Sequence, residues 1–129
     1  MGRRFNQLSL PEARRTGLAA QGFDRPRPAR PGPREIAATV RALGLVQIDC
    51  VNVVVPAHYQ VLFSRLGAYD RTAFDRVAYG SGEFTEQWAH EASLIPVETW
   101  PLLRHRMDLG KFANWGFTAT AERDPEYAA

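Results

Sequence analysis

The stretch LGLVQIDCVNVVVPAHY, residues 43–59, is the most informative part of the sequence for the fold and for the candidate site. It is apolar enough for a buried strand, yet Gln47 and Asp49 lie inside it, two residues apart. In a β-strand, residues i and i+2 point to the same face of the sheet. We therefore expect Gln47 and Asp49 to share one face, while Val46 and Ile48 point the other way into the core.

An amide and a carboxylate on one face can hold a water molecule between them. Asp49 could accept the proton of that water, and Gln47 could fix its orientation. Asp49 could also stabilise positive charge that develops on a sugar ring, as carboxylates do in glycoside hydrolysis. The alternative is an edge strand whose polar face simply meets solvent, and the Gln-x-Asp spacing alone leaves both interpretations open.

Outward from this strand, the chain reads as short helices with one or two short strands. Ser9-Leu10-Pro11-Glu12 is a capping-box pattern that starts a helix running to about Gln21. Further helices are predicted from about Arg34 to Leu43, from Pro56 to Gly67, from Asp70 to Tyr79 and within residues 97–110, with a strand or irregular segment at residues 84–96. The predicted fold class is α+β, mainly α with short β-strands, and this element order resembles a winged helix.

The length of 129 residues suits a single domain with one modest core. We expect that core within about residues 8–110. Residues 23–33, FDRPRPARPGP, contain four prolines and cannot form a helix interior or a central strand, so they predict a basic, extended linker. Residues 111–129 read as an irregular tail.

The charge distribution, the apolar runs and the cysteine count restrict the classes of protein to which this chain can belong. Residues 1–50 hold nine arginines against four acids, whereas residues 51–129 carry an excess of acids, so the basic half could face phosphates or merely be solvated. There is no apolar run long enough to span a membrane. Cys50 is the one cysteine, which excludes an internal disulfide and suits the cytoplasm.

Six ordered segments together resemble the crosslink-repair DNA glycosylases of the YcaQ/AlkZ type, which carry a Gln-Φ-Asp signature in which Φ is apolar. Gln47-Ile48-Asp49 fits that signature. The resembling segments are LSLPEARR (8–15), AAQGFDRPRP (19–28), LGLVQIDCVNVVV (43–55), AHYQVLFSRLGAYDR (57–71), WAHEASLIPVE (88–98) and PLLRHRM (101–107).

The resemblance implies the first winged-helix unit of a tandem winged-helix protein that acts on double-stranded DNA. It implies hydrolysis of the N-glycosidic bond of bulky or N7-alkylated purines, including those in interstrand crosslinks. Gln47 and Asp49 would be the catalytic pair, and neither a metal, a nucleotide cofactor nor a membrane is implied.

Candidate DNA contacts come both from the residue types themselves and from the family resemblance. His58 and His90 lie in resembling segments, and their spacing does not fit a metal site, so each is either a DNA-facing or a satisfied structural histidine. Arg65 could contact a phosphate, pair with an acidic side chain or be solvated. Arg25 and Arg27 alternate with prolines and could follow a phosphate backbone or be solvated.

Two departures from the family pattern leave alternatives open. Family members are much longer, so we expect this chain to be a truncated N-terminal portion. Pro56 stands where the family usually has arginine before the Ala57-His58 pair, which removes a possible phosphate contact. The alternatives to an active glycosylase are a winged-helix module that binds DNA without chemistry and an inactive truncated remnant.

Overall fold

The computed structural model describes residues 7–48, 54–89 and 91–108, the last three of them as helix backbone. The fold class is α+β, as predicted. The elements, in chain order, are α1 (Leu10–Ala20), α2 (Pro33–Leu43), β1 (Val46–Gln47), α3 (Ala57–Leu66), α4 (Arg71–Asp75), a π-helical turn (Arg76–Gly80), β2 (Phe84–Trp88), β3 (Ala92–Pro96), a 3-10 turn (Val97–Thr99) and α5 (Trp100–Asp108).

The helices begin at the capping residues that the sequence indicates. Ser9 donates to the Glu12 carboxylate through its backbone N–H at 2.9 Å and through its hydroxyl at 2.6 Å. Before α2, the Gly32 N–H donates to Glu35 in the same way at 2.9 Å. These hydrogen bonds lower the pKa of Glu12 and of Glu35, because they favour the charged carboxylate. Asp70 caps α4 by accepting from the Thr72 N–H at 2.9 Å.

The helix predicted over residues 70–79 is only partly α-helical. After Asp75 the backbone widens into the π-helical turn Arg76–Gly80, and the Ser81 hydroxyl donates to the Val77 carbonyl at 2.7 Å where this turn ends. The same hydroxyl accepts from the Glu83 N–H at 3.0 Å, which leads the chain into β2. Within residues 84–96, predicted as strand or irregular, Phe84–Trp88 and Ala92–Pro96 form two antiparallel strands.

The three strands of the described residues form one antiparallel sheet in the order β1-β3-β2. In this register Val46 faces Leu94 and Gln47 faces Ser93, while β2 pairs with β3 from Phe84 opposite Pro96 to Trp88 opposite Ala92. Strand β3 is therefore central, although it comes last of these three along the sequence.

The core lies between one face of this sheet and the helices α2, α3 and α4 with its π-helical turn. Its buried members are Ile36, Val40, Val46, Leu62, Leu66, Ala73, Phe74, Val77, Ala78, Phe84 and Leu94. Arg41 links α2 to the segments that flank β2 and β3. Its guanidinium forms 2.8 Å ion pairs with Glu83 and Glu98. It also lies 5.0 Å from the centre of the Phe84 ring. None of the helices described is long and apolar enough to cross a membrane.

Helix α1 contributes no buried residue to this core. The proline-rich segment of residues 23–33 is non-helical up to Gly32, as predicted, but it folds back against α3 instead of extending freely. We call residues 7–32 the N-terminal strap.

Candidate functional site

Gln47 lies on the face of β1 opposite the hydrophobic core. Its neighbour Val46 is only 1% exposed and belongs to the core, and Ile48 packs against that core from its edge. The Ile48 N–H donates to the Ala92 carbonyl at 2.8 Å and continues the pairing with β3. Gln47 itself is half-buried. Asp49, the predicted partner of Gln47, lies outside the described residues, as do Cys50 and His90.

The sheet places Gln47 in a row of polar residues that the sequence did not predict. Ser93 on β3 faces Gln47 on one side and Gln87 of β2 on the other, so all three belong to one register and one face. Ser93 is 0% exposed, and its hydroxyl donates to the Glu91 carbonyl at 3.0 Å. We call Gln47, Ser93 and Gln87 the polar row.

His58 lies at the start of α3, packed among aromatic rings. Its imidazole stacks on Phe74 with the ring centres 5.6 Å apart, and it lies 4.2 Å from the Tyr59 ring. The His58 Nδ1 atom is buried. These contacts support the structural interpretation of His58, and contact with DNA stays a prediction.

Tyr59 joins α3 to α4 through hydrogen bonds. Its hydroxyl donates to Asp75 at 2.7 Å, and its carbonyl accepts from the Tyr69 hydroxyl at 3.1 Å. Burial, together with the bond to Asp75, raises the pKa of Tyr59 to about 12. Tyr59 is therefore a neutral donor at physiological pH, and it holds in place the helix that carries the exposed Arg71 and Arg76.

Arg65 holds the N-terminal strap against α3. Its Nε donates to the Gln21 carbonyl at 2.8 Å, its Nη1 donates to the Val61 carbonyl at 2.9 Å, and its guanidinium lies 4.4 Å from the centre of the Phe23 ring. Burial lowers the pKa of Arg65. Arg27, which belongs to the strap, makes a second contact with α3 by donating to the Ser64 carbonyl at 3.1 Å.

The arginines predicted to contact phosphate therefore differ in exposure and in hydrogen-bond partners. Arg65 and Arg27 bind backbone carbonyls, whereas Arg25 is exposed at the rim of a cleft of about 280 Å³ between the strap and α2. Two further exposed arginines, Arg71 and Arg76, lie on α4 and its π-helical turn. Sequence reasoning missed both, although the helix prediction and the exposed side of its pattern could have found them.

Replacing Arg65 with Met is expected to loosen the strap. Methionine retains an apolar stem but loses the hydrogen bond to Gln21 and the cation–π contact with Phe23, each of which contributes about 1 kcal/mol. Because cleavage follows the population of locally opened chain, chymotrypsin should cut after Phe23 roughly thirtyfold faster. Arg76→Met, at an exposed arginine whose ion pair with Asp70 is 3.5 Å long, is the control. Equal cleavage of both variants would contradict the role assigned to Arg65.

A family model described as DNA glycosylase AlkZ-like matches residues 40–126, about two thirds of the chain. The matched interval includes β1, the polar row and the predicted Gln47–Asp49 pair. No solved structure matches the chain.

Proposed function

Because the chain belongs to the AlkZ-like DNA glycosylase family, we propose that it hydrolyses the N-glycosidic bond of bulky or N7-alkylated purines in duplex DNA, including interstrand crosslinks. The observation that carries this proposal is the position of Gln47. Its amide lies on the face of β1 turned away from the core, while Val46 and Ile48 anchor the strand from behind. That is the arrangement a water-positioning strand needs.

The chemistry suits an amide paired with a carboxylate. An N7-alkylated purine is already cationic and leaves readily, so the protein does not have to protonate the departing base. It has to position a water molecule and place negative charge near the sugar, where positive charge develops as the bond breaks. Gln47 orients the water through its amide, and Asp49 accepts its proton and stabilises the sugar cation.

The proposed framework for gripping DNA is a winged-helix unit. The order α2-β1-α3-α4-β2-β3, with β3 between β1 and β2, supports this assignment. In such a unit α4 and its π-helical turn approach the duplex, and the loop joining β2 to β3 forms the wing. Further winged-helix units in tandem belong to the same proposal.

A second candidate is a DNA-binding module without chemistry. The exposed arginines of α4 and its π-helical turn favour it, because Arg71 and Arg76 can meet phosphates whether or not the Gln47 face reacts. This candidate predicts binding that weakens steeply with salt and no release of the base.

The test is single-turnover release of N7-methylguanine from a duplex by the 129-residue chain. We expect first-order release from the alkylated duplex and none from an unmodified duplex of the same sequence. Binding to both duplexes is followed in parallel at two salt concentrations, and a cooperative thermal melt checks that the chain is folded. Salt-dependent binding without release would select the binding module. A folded chain that neither binds nor releases would contradict both candidates.

A further inference from the structure

An open apolar groove lies between α3 and the segment that leads into α4. Its volume is about 680 Å³. The side chains that form it include Val54, Val55, Tyr59, Phe63, Tyr69 and Arg71. Phe63 and Val54 are both exposed there, and exposed apolar side chains that line one groove, instead of being scattered, mark a surface that binds a ligand or a partner. We call this groove the aromatic groove.

The hydroxyls that line the aromatic groove are already used within the protein. Tyr59 donates to Asp75, Tyr69 donates to the Tyr59 carbonyl, and the Ser64 hydroxyl donates to the Val61 carbonyl at 2.8 Å. Burial raises the pKa of both tyrosines, so they carry no charge at physiological pH. The groove therefore presents aromatic and aliphatic surface, with few polar atoms to recognise the hydrogen-bonding edge of a ligand.

Arg71 supplies the charge at the rim. Among the described residues that line the aromatic groove, it is the one charged side chain. Its guanidinium lies 5.7 Å from the centre of the Tyr59 ring. The ion pairs found in the described part of the chain do not include it, and the neighbouring Asp70 pairs with Arg76 instead. Arg71 is thus an exposed cation beside an apolar surface.

Two other hollows of this structure have a different balance of charge. The cleft between the strap and α2 is lined by Glu35 as well as by Arg25. The hollow between α2 and the π-helical turn is lined by Glu83, which already pairs with Arg41. The aromatic groove differs from both, because a cation without an acidic partner lies next to apolar surface. That combination suits a ligand with a flat apolar part and an anionic part.

We propose that the aromatic groove binds an unpaired nucleotide of a DNA strand, with its base stacked on Phe63 and its phosphate on Arg71. Proteins bind single strands without reading their sequence by this combination of an aromatic side chain and a positive charge. Phe63 provides the stacking surface because the Tyr59 ring already contacts His58 and Arg71. The site goes beyond the proposed hydrolysis, since it requires an unpaired base and no reaction at Gln47.

A nucleotide fits the charge of the groove better than a second copy of the chain does. In a twofold dimer the same surface meets itself, so two Arg71 side chains would approach each other across the interface. Like charges placed together in this way oppose association. A phosphate, by contrast, neutralises Arg71 while the base covers the exposed apolar side chains.

The test is the binding of a short, fluorescein-labelled oligothymidylate, followed by fluorescence anisotropy at several salt concentrations. Phe63→Ala should weaken binding about tenfold, which is the effect of losing one base–aromatic stack. Phe63→Trp retains a stacking surface and should bind at least as tightly as the wild type. Leu18→Ala, at a similarly exposed apolar residue on α1, is the control and should bind like the wild type.

The phosphate contact is tested by the dependence on salt. In Arg71→Met, the slope of log affinity against log salt concentration should become shallower by about 0.7, the value for one phosphate contact on a single strand. Phe63→Ala should leave this slope unchanged, because stacking releases no counterion. Arg34→Met, the same change of charge at an exposed residue of α2, is the control and should retain the wild-type slope.

The outcomes are distinct once thermal melts show that the variants are folded. Weaker binding by Phe63→Ala at an unchanged slope, with a shallower slope in Arg71→Met, supports the proposal. Equal affinities of Phe63→Ala and Leu18→Ala overturn it, and so does a folded wild type that does not bind the oligothymidylate. If light scattering shows a wild-type dimer that Phe63→Ala dissociates without loss of DNA binding, the groove joins two copies and the proposal fails.

The proposed hydrolysis and this binding site can fail separately. Release of N7-methylguanine by the wild type decides the first, and the Phe63 and Arg71 variants decide the second. Binding that depends on Phe63, from a chain that releases no base, would refute the hydrolysis and retain the site.

Discussion

Asp49→Asn is expected to abolish release of the alkylated base while the chain remains folded. The substitution retains the size of the side chain but removes its negative charge and its capacity to accept a proton. Positioned general bases contribute about 10²- to 10⁴-fold to a rate, and one electrostatic stabiliser of the transition state contributes about 10²- to 10³-fold. Since Asp49 is assigned both roles, we expect the single-turnover rate to fall by about 10³-fold or more.

Measurement of duplex affinity shows whether the lower rate of base release comes from lost chemistry or from lost DNA binding. Removal of a negative charge near the phosphates should leave affinity for the duplex unchanged or make it slightly tighter. Asp24→Asn, the same charge change on an exposed residue of the strap, is the matched control and should react like the wild type. Release by Asp49→Asn at the wild-type rate would rule out the proposed mechanism.

Phe74→Ala is expected to have the largest effect on stability. Phe74 is 0% exposed and lies in the middle of the core on α4, where its ring meets Tyr59 edge-on with centres 5.5 Å apart. Truncation of a buried phenylalanine to alanine costs about 3–5 kcal/mol, because it removes apolar contacts and leaves a cavity. Small domains are stabilised by only about 5–15 kcal/mol, so the thermal midpoint should fall by at least about 12 °C.

The matched control is a phenylalanine-to-alanine substitution on α3, the helix that precedes α4. Phe63 on α3 is 55% exposed and lies outside the core cluster, so Phe63→Ala should change the free energy of unfolding by about 0.5 kcal/mol or less. Thermal melts followed by circular dichroism, with both variants beside the wild type, measure the difference. Similar midpoints for the two variants would mean that the core is not centred on Phe74.

Under the proposed function, the chemistry and the main hydrophobic core use opposite faces of one sheet. Leu94 and Val46 face the helices, whereas Gln47 and Ser93 point the other way. Phe74→Ala should therefore lower stability without specifically altering the site, and Asp49→Asn should do the reverse. Together the two variants test whether the faces are independent.

The sequence by itself determined the features that depend on near neighbours. The capping at Ser9 and Asp70 involves bonds to residues two or three positions away, and the boundaries of α1, α2 and α3 follow within one or two residues. The assignment of Val46 to the core and Gln47 to the other face follows from strand alternation alone. Family membership was also predictable, because it depends on the order of segments and not on their packing; the match over residues 40–126 confirms it.

Only the tertiary structure decided which distant residues meet. Gln47 faces Ser93, 46 positions later, because β3 pairs between β1 and β2, and no local pattern specifies that register. Likewise the carbonyl of Gln21 accepts from Arg65 because the strap turns back along α3, a contact that no local pattern predicts. The physical reason is the same in both places: local hydrogen bonds fix short elements, but pairing across the sheet and the burial of a guanidinium depend on how the whole chain closes around its core.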